Sequence, residues 1–239
     1  MTALVLAAAM ASSEALITVL NTRTSVSQDR YDAAVEVVER DAAEGKPLQQ
    51  FVIGVTTDDD QEKAARYLDS SRATIRALAE KSDNPLAWYL LSMESNDRAL
   101  LERAAKGGNV QALNALGAML VQEANSATGE ATNEVRRLLR EGFECFSKAS
   151  ERRDPNAFVN VGACYMNGIG CKKNLMLAFE CFRTAAQEGG HPEAMMYMST
   201  CFDRGIGVNP DPEKAMFWRM KARACRGDKA AAKWLESRK

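Results

Sequence analysis

The segment from residue 156 to residue 231 nearly repeats itself at a spacing of 37 residues. The recurring positions hold small residues, and the pairs are Ala157 and Ala194, Gly168 and Gly205, Gly170 and Gly207, Ala178 and Ala215, and Ala185 and Ala222. A fixed period between about 20 and 50 residues is the sequence signature of a stacked array of structural units. The period therefore restricts the fold to a repeat architecture and leaves the function open.

Each repeat is predicted to contain two helices. The first helix, about 156–166, and the second, about 175–188, each carry an apolar stripe at helical spacing. The stripes are Ala157, Val161, Gly162 and Tyr165 in the first helix and Ala178, Phe182 and Ala185 in the second. Gly168 ends the first helix, because glycine tolerates the left-handed backbone of a helix C-terminus. In the following repeat Asp211 and Pro212 begin the second helix as N-cap and first helical residue.

These residues resemble the Sel1-like repeat, a relative of the tetratricopeptide repeat, whose pattern combines Ala-x3-Leu-Gly-x2-Tyr, Gly-x-Gly-Val, Asp-x2-Lys-Ala and Trp-Tyr-x-Lys-Ala-Ala-x2-Gly. The last repeat matches it at Ala194, Gly205, Gly207, Val208, Asp211, Lys214, Ala215, Trp218, Lys221, Ala222 and, one residue late, Gly227. It departs from the pattern at Ser199, Phe202 and Arg219. The preceding repeat matches at Ala157, Gly162, Tyr165, Gly168, Gly170, Ala178, Phe182, Ala185 and Ala186. There Cys171 and Cys181 replace the usual Val and Trp.

The resemblance implies an all-α protein, a right-handed α-solenoid of antiparallel helix pairs. We predict two parts. Residues 1–96 form a divergent helical N-terminal part of degenerate repeats, and residues 97–239 form the Sel1-like repeat array with a terminal capping helix at 229–238. An insertion of small and polar residues at 123–133 interrupts the first repeat of this array. Such insertions fall on surface connections.

Most of the chain between Ser25 and Lys106 is predicted to be helical as well. Ser25 and Gln28 form a capping box for a first helix that ends at about residue 44, and further helices are predicted at 48–55, at 61–82, from Pro85 onward, and at 98–106. Residues 51–55 also have the composition of a strand, and the repeat context favours a helix. Asp58, Asp59 and Asp60 resemble metal ligands, but the Gly and the terminal Glu of a calcium loop are missing. Asp60 is therefore predicted to be a helix cap.

Residues 2–20 are predicted to form a buried first helix rather than a targeting segment. No Lys or Arg precedes Arg23, so the basic region of a signal peptide is missing. Ser12, Ser13 and Glu14 interrupt the apolar run before it is long enough to span a bilayer. A membrane span is therefore not expected, and a targeting role of this segment stays open as the alternative.

Residues that carry chemistry are sparse. The single histidine, His191, precedes Pro192 in a turn between repeats and has no second histidine with which to share a metal. Gly168 and Gly170 follow a helix and not a strand, unlike the glycines of a phosphate-binding loop. The net charge of −1 gives no electrostatic reason to expect nucleic acid or a membrane surface. We therefore predict no catalytic residue, cofactor or metal, and a protein that is not an enzyme.

The cysteines favour a reducing compartment. Cys145 and Cys181 occupy one repeat slot and Cys164 and Cys201 another, which suggests small packing residues. A secreted branch of the resembled family looks disulfide-bonded at slots that are filled here by Ser150, Ala186, Arg223, Ala157 and Ala194. The expected location is therefore the cytoplasm or another reducing compartment, or an organelle matrix if residues 1–20 act in targeting. A Cys164–Cys181 or Cys181–Cys201 disulfide stays open.

The resemblance implies an adaptor whose concave face, lined by first helices, holds a segment of another protein. The outward positions predicted to bind it are Asn114, Val159, Ala163, Met166, Asn167, Met196, Thr200, Asp203 and Arg204. Mixed Met, amide and charged side chains suit an adaptable groove, although the same positions also suit plain exposure to solvent. The alternative function is a structural subunit of a large assembly, which contacts its neighbours through the convex face and the insertion at 123–133.

Overall fold

The computed structural model describes residues 15, 16, 19, 20, 27–57, 60–127 and 132–238. Of the predicted helix over residues 2–20, only Ala15, Leu16, Val19 and Leu20 are therefore visible, and they are helical and buried. Asp58 and Asp59 lie outside the described residues.

All twelve regular elements in these ranges are helices. They are α1 (Gln28–Ala43), α2 (Pro47–Thr56), α3 (Gln61–Ser82), α4 (Pro85–Ser95), α5 (Arg98–Lys106), α6 (Val110–Ser126), α7 (Asn133–Ser150), α8 (Pro155–Asn167), α9 (Leu175–Gln187), α10 (Pro192–Arg204), α11 (Pro212–Cys225) and α12 (Lys229–Glu236). The predicted all-α class is confirmed. No helix in the described ranges is both long enough and apolar enough to cross a membrane.

Helix caps explain where several of these helices begin. Asp60 caps α3 by accepting a hydrogen bond from the Lys63 amide at 2.9 Å, as predicted. Asn84 caps α4 through its side-chain oxygen, and Pro85 follows it as the first helical residue. Residues 48–55 lie within α2, so the helical interpretation of this apolar stretch is confirmed. Each cap satisfies backbone amides that the helix itself leaves without acceptors.

The described residues belong to two compact units. The first contains residues 15, 16, 19, 20 and 29–112, and the second contains residues 27, 28 and 113–238. The predicted division after residue 96 concerns the identity of the repeats and stays a prediction. The repeat features that follow all lie in the second unit.

The predicted insertion at 123–133 is wrong in its bounds. Only residues 127–132 lie between α6 and α7, because α6 continues for a further turn. Ala124 in that turn is buried and packs with Leu120 and Leu138. Burial of this alanine against α7 therefore keeps a stretch helical that looks loop-like in the sequence.

Glycines allow the two helices of a repeat to pack closely. A Cβ added at Gly162 of α8 would lie 2.6 Å from the Phe182 ring of α9, and one added at Gly117 of α6 would lie 2.7 Å from the Phe146 ring of α7. Gly162 therefore lies at a helix contact, as the repeat pattern predicts. A side chain at either position would push the pair apart.

A second glycine contact joins each repeat to the one before it. Gly170, in the loop after α8, has a φ of +67°, and a Cβ there would overlap the Leu139 carbonyl of α7. Gly207, in the loop after α10, has a φ of +70°, and a Cβ there would overlap the Leu175 carbonyl of α9. The same backbone contact therefore recurs between successive repeats, and it explains why these loop glycines recur in the sequence.

Gly168 and Gly170 provide a matched test of this contact. Both have left-handed backbone, so alanine at either position is expected to cost about 1–2 kcal/mol through conformational strain. A Cβ at Gly168 would meet only ordinary contacts, with Lys173 Cβ at 3.5 Å. We predict that Gly170→Ala lowers the free energy of unfolding by about 1–3 kcal/mol more than Gly168→Ala, because of the overlap with Leu139. Urea unfolding of both variants measures the difference, and equal losses would contradict the contact.

Candidate functional site

The first helices of successive repeats, α6, α8 and α10, are joined through their N-caps. Asp154 caps α8 by accepting the Ala157 amide at 2.9 Å, and it also accepts a hydrogen bond from Asn114 Nδ2 of α6 at 2.9 Å. Asn160 Nδ2 of α8 lies 3.4 Å from Asn114 Oδ1. Burial raises the pKa of Asp154, whereas these hydrogen bonds lower it. Asn114, one of the predicted binding residues, therefore has a structural role between α6 and α8.

His191 makes the equivalent connection between α8 and α10. Its Nδ1 accepts the Ala194 amide at 3.3 Å, so in the neutral ring Nε2 carries the proton and donates to Asn156 Oδ1 at 3.1 Å. The side chain is 1% exposed. Burial, helped by the positive charge of Arg226, lowers the pKa of His191 to about 4. The histidine is therefore a neutral helix cap.

The sequence predicts His191 only as a turn residue. The repeat spacing shows that His191 occupies a cap position, because Asp154 lies 37 residues before His191 and Asp228 lies 37 residues after it. Asp154 and Asp228 are the N-caps of α8 and α12. A histidine in a slot otherwise filled by aspartate indicates a cap.

A groove of about 390 Å³ lies between α6 and α8. Its lining comes from both first helices and from the floor between them, and comprises Ala118, Val121, Gln122, Asn125, Ser126, Phe146, Asn160, Ala163, Cys164 and Ile169. These ten residues are small, apolar or uncharged polar. The groove therefore offers carboxamide donors and acceptors beside an apolar floor, and none of the described residues that line it is charged.

Two predicted residues, Ala163 and Asn114, belong to this region. Ala163 lines the groove, and Asn114 contacts Asn160 of its wall. Gln122 and Asn125 line the groove as well and were not predicted. Gln122 lies next to the stretch predicted to be an insertion, and Asn125 lies within it. A helix continued from Ala118 would have placed them on this face, at i+4 and i+7.

Val159 was predicted to face outward, and the structure places it in the core instead. It is 6% exposed and belongs to a buried cluster that also contains Phe182 of α9 and Met198 of α10. Its burial follows from the packing of α8 against both neighbouring helices. Met166 and Met196 are partly buried and pack against the same cluster. These two methionines therefore stabilise the packing of the repeats and also leave part of their side chains exposed.

The remaining predicted residues lie on the outer turns of α8 and α10. Asn167 Nδ2 donates to the Ala163 carbonyl at 3.0 Å, and Thr200 Oγ1 donates to the Met196 carbonyl at 3.1 Å. Asp203 and Arg204 are exposed at the end of α10.

None of the described residues that line the groove is an activated nucleophile. Cys164 at its floor is 3% exposed, and burial together with nearby Cys171 raises the pKa of its thiol to about 12. The thiolate is the reactive form of cysteine, so the thiol is unreactive near neutral pH. Burial likewise raises the pKa of Cys201 to about 11. The cysteines at these repeat slots therefore act as packing residues.

Three stretches of the chain, residues 110–154, 157–190 and 192–218, match the family model described as Sel1 repeat. A Sel1 repeat protein from Oxalobacter formigenes is similar over 54% of this chain and 90% of its own, with 26% identity and a TM-score of 0.46. A protective antigen present in uropathogenic Escherichia coli strains, which displays an SLR fold, is similar over 84% of this chain, with 19% identity and a TM-score of 0.52. This chain spans 44% of that antigen's length. The predicted α-solenoid fold is confirmed.

The buried cap predicts how stability depends on pH. An unfolded histidine has a pKa of about 6.5, whereas the folded pKa of His191 is about 4. Between these values the unfolded state binds more protons, so stability is complete above pH 6.5 and decreases as the pH falls toward 4. We predict that the wild type loses up to ~1.4 kcal/mol per pH unit in this range beyond the loss in His191→Asn, which retains a capping oxygen. Urea unfolding at pH 7, 6 and 5 measures both slopes, and equal slopes would refute the prediction.

Proposed function

We propose that this protein is a non-catalytic adaptor that binds a segment of a partner protein in the α6–α8 groove. The three stretches that match the Sel1 repeat support this proposal, because this repeat type generally mediates protein–protein interaction. The observation that carries the proposal is the uncharged groove between two first helices. Its volume of about 390 Å³ lies in the range of specific binding sites. The first helices form the face that the resemblance assigns to partner binding.

The lining indicates what such a segment would look like. Gln122, Asn125 and Asn160 present carboxamides, which pair with the N–H and C=O groups of an extended backbone. Ala118 and Ala163 leave room above the floor for small or medium apolar side chains. A charged side chain in the groove would lose water without gaining an ionic partner from the lining. The segment is therefore expected to be uncharged where it crosses the groove.

The exposed ends of α8 and α10 extend this proposal. Asn167 lies at the end of α8, and Asp203 and Arg204 lie at the end of α10. Charged and amide groups at the rim of an interface influence orientation and association rate more than affinity. We assign these residues to orientation of the bound segment, and the groove to affinity.

A charge introduced into the groove tests the proposal. We predict that Ala118→Glu weakens partner binding at least tenfold, about 1.4 kcal/mol, because the bound segment would cover an unpaired carboxylate. Ala73→Glu, at an exposed alanine of α3, is the matched control and should bind normally. The measurement is affinity purification with quantitative mass spectrometry, followed by titration calorimetry with the recovered partner. Circular dichroism checks that both variants remain folded.

The same measurement distinguishes groove binding from the alternative function, a structural subunit that contacts its neighbours through the segment between α6 and α7. Replacement of residues 127–131 by a short Gly-Ser turn changes none of the described groove-lining residues and keeps Thr132, the N-cap of α7. We expect this variant to keep the partner. Loss of the partner here, together with retention in Ala118→Glu, would contradict binding in the groove and favour contacts through the inter-helix segment.

A further inference from the structure

Helix α11 has apolar side chains on two opposite sides. Its inner stripe, Ala215, Trp218 and Ala222, is buried in the core. On the other side Met216 is 39% exposed and Phe217 is 41% exposed, and Met220 follows Phe217 by three residues and is partly exposed. We call this exposed apolar surface the outer ridge; it consists of Met216, Phe217 and Met220. An amphipathic surface helix needs only the inner stripe.

The preceding repeats are polar at the positions of Phe217 and Met220, whereas Met216 corresponds to the apolar Phe179 of α9 and Phe143 of α7. Glu180 and Arg183 of α9 lie 37 residues before Phe217 and Met220, and they form an ion pair with each other. Glu144 and Ser147 of α7 lie a further 36 residues before those positions. Since α7 and α9 show that packing of the array does not require apolar side chains at the positions of Phe217 and Met220, the apolar character of these two residues needs another explanation.

Cationic side chains flank the outer ridge. Lys221 Nζ lies 5.4 Å from the Phe217 ring centre. Lys214 precedes the outer ridge along the helix, and Arg223 follows it. Lys214 pairs with Asp211 and Arg223 pairs with Asp228, but all four groups are at least partly exposed to water. Exposed pairs of this kind contribute little and exchange readily for other partners. The surface therefore combines apolar contact area with positive charge that another acidic group can approach.

We propose that the outer ridge binds a second protein segment, one that is acidic and carries an aromatic or large aliphatic side chain. The apolar side chain packs on Phe217 and Met220, and the carboxylates approach Lys214 and Lys221. Methionine and aromatic side chains together form adaptable contact surfaces. This site uses a second helix, so it is distinct from the groove between the first helices and does not depend on that groove.

A protein segment fits the ridge better than an anionic membrane surface does. Glu213 and Asp211 lie at the N-terminal end of the same helix and would repel a uniformly negative surface. The whole chain has a net charge of −1, which gives no general attraction to such a surface. A peptide can place its carboxylates opposite the lysines and avoid the two acidic residues.

The test uses the full chain and fluorescence anisotropy with a labelled peptide of repeated Glu-Leu-Asp-Phe units. The key variant, Phe217→Glu/Met220→Arg, reproduces the Glu180 and Arg183 pair of α9 and should therefore leave the thermal midpoint nearly unchanged. We expect the wild type to bind the peptide at least tenfold more tightly than this variant. It should also prefer this peptide at least tenfold over a counterpart with Lys at every acidic position. Equal affinities in either comparison would overturn the proposal.

Lys221→Glu keeps the apolar ridge and reverses one charge, so it tests the charge requirement independently of the double variant. We expect it to weaken binding of the acidic peptide about three- to tenfold, and an unchanged affinity would contradict the charge argument. Ala118→Glu should bind this peptide like the wild type, because the groove is a separate site. Loss of binding in Ala118→Glu would place the peptide in the groove and overturn the assignment.

Binding of the protein to an anionic membrane is tested with phosphatidylcholine vesicles that contain phosphatidylserine. We expect the wild type and Phe217→Glu/Met220→Arg to remain in the supernatant when these vesicles are sedimented. Sedimentation of the wild type, but not of the variant, would assign the outer ridge to a lipid surface and overturn the proposal of a protein segment.

Discussion

Close backbone contact at glycine is the constraint on which the repeat array depends. Gly162 brings α8 against the Phe182 ring, and Gly170 brings the next loop against the Leu139 carbonyl of the preceding repeat. The first contact fixes the two helices of a repeat, and the second fixes one repeat on another. Because a single Cβ would disturb either contact, the small residues recur at a constant spacing while the surface residues between them vary.

Repeat stacking determines where the first helices lie, and their caps then connect them. Asp154 joins α8 to Asn114, and His191 joins α10 to Asn156, so each cap satisfies its own helix and one neighbouring side chain. Cap residues are polar, yet here they are buried. Their hydrogen bonds offset the cost of removing them from water. The groove between α6 and α8 follows from this side-by-side arrangement and from the alanines along it.

The two proposed binding surfaces differ in chemistry because they use different helices of the repeat. The groove is uncharged and lined by amides such as Asn160, which suits backbone recognition. The outer ridge presents Phe217 beside Lys221, which suits an acidic segment with a large apolar side chain. Because the two proposed sites use different helices of the repeat, we expect that a segment bound at one does not exclude a segment at the other.

The sequence by itself determined most of the helices, several of their caps and the contact glycines, because helical periodicity and left-handed turns are local properties of the chain. It placed Gly162 correctly, and it identified Asp60 as a cap. Tertiary structure decided which outward-looking positions are covered. Val159 has the helical phase of a surface residue but is buried by α9 and α10, and His191 resembles a turn residue but caps a buried helix end. Both outcomes depend on neighbouring repeats, whose contacts no local pattern specifies.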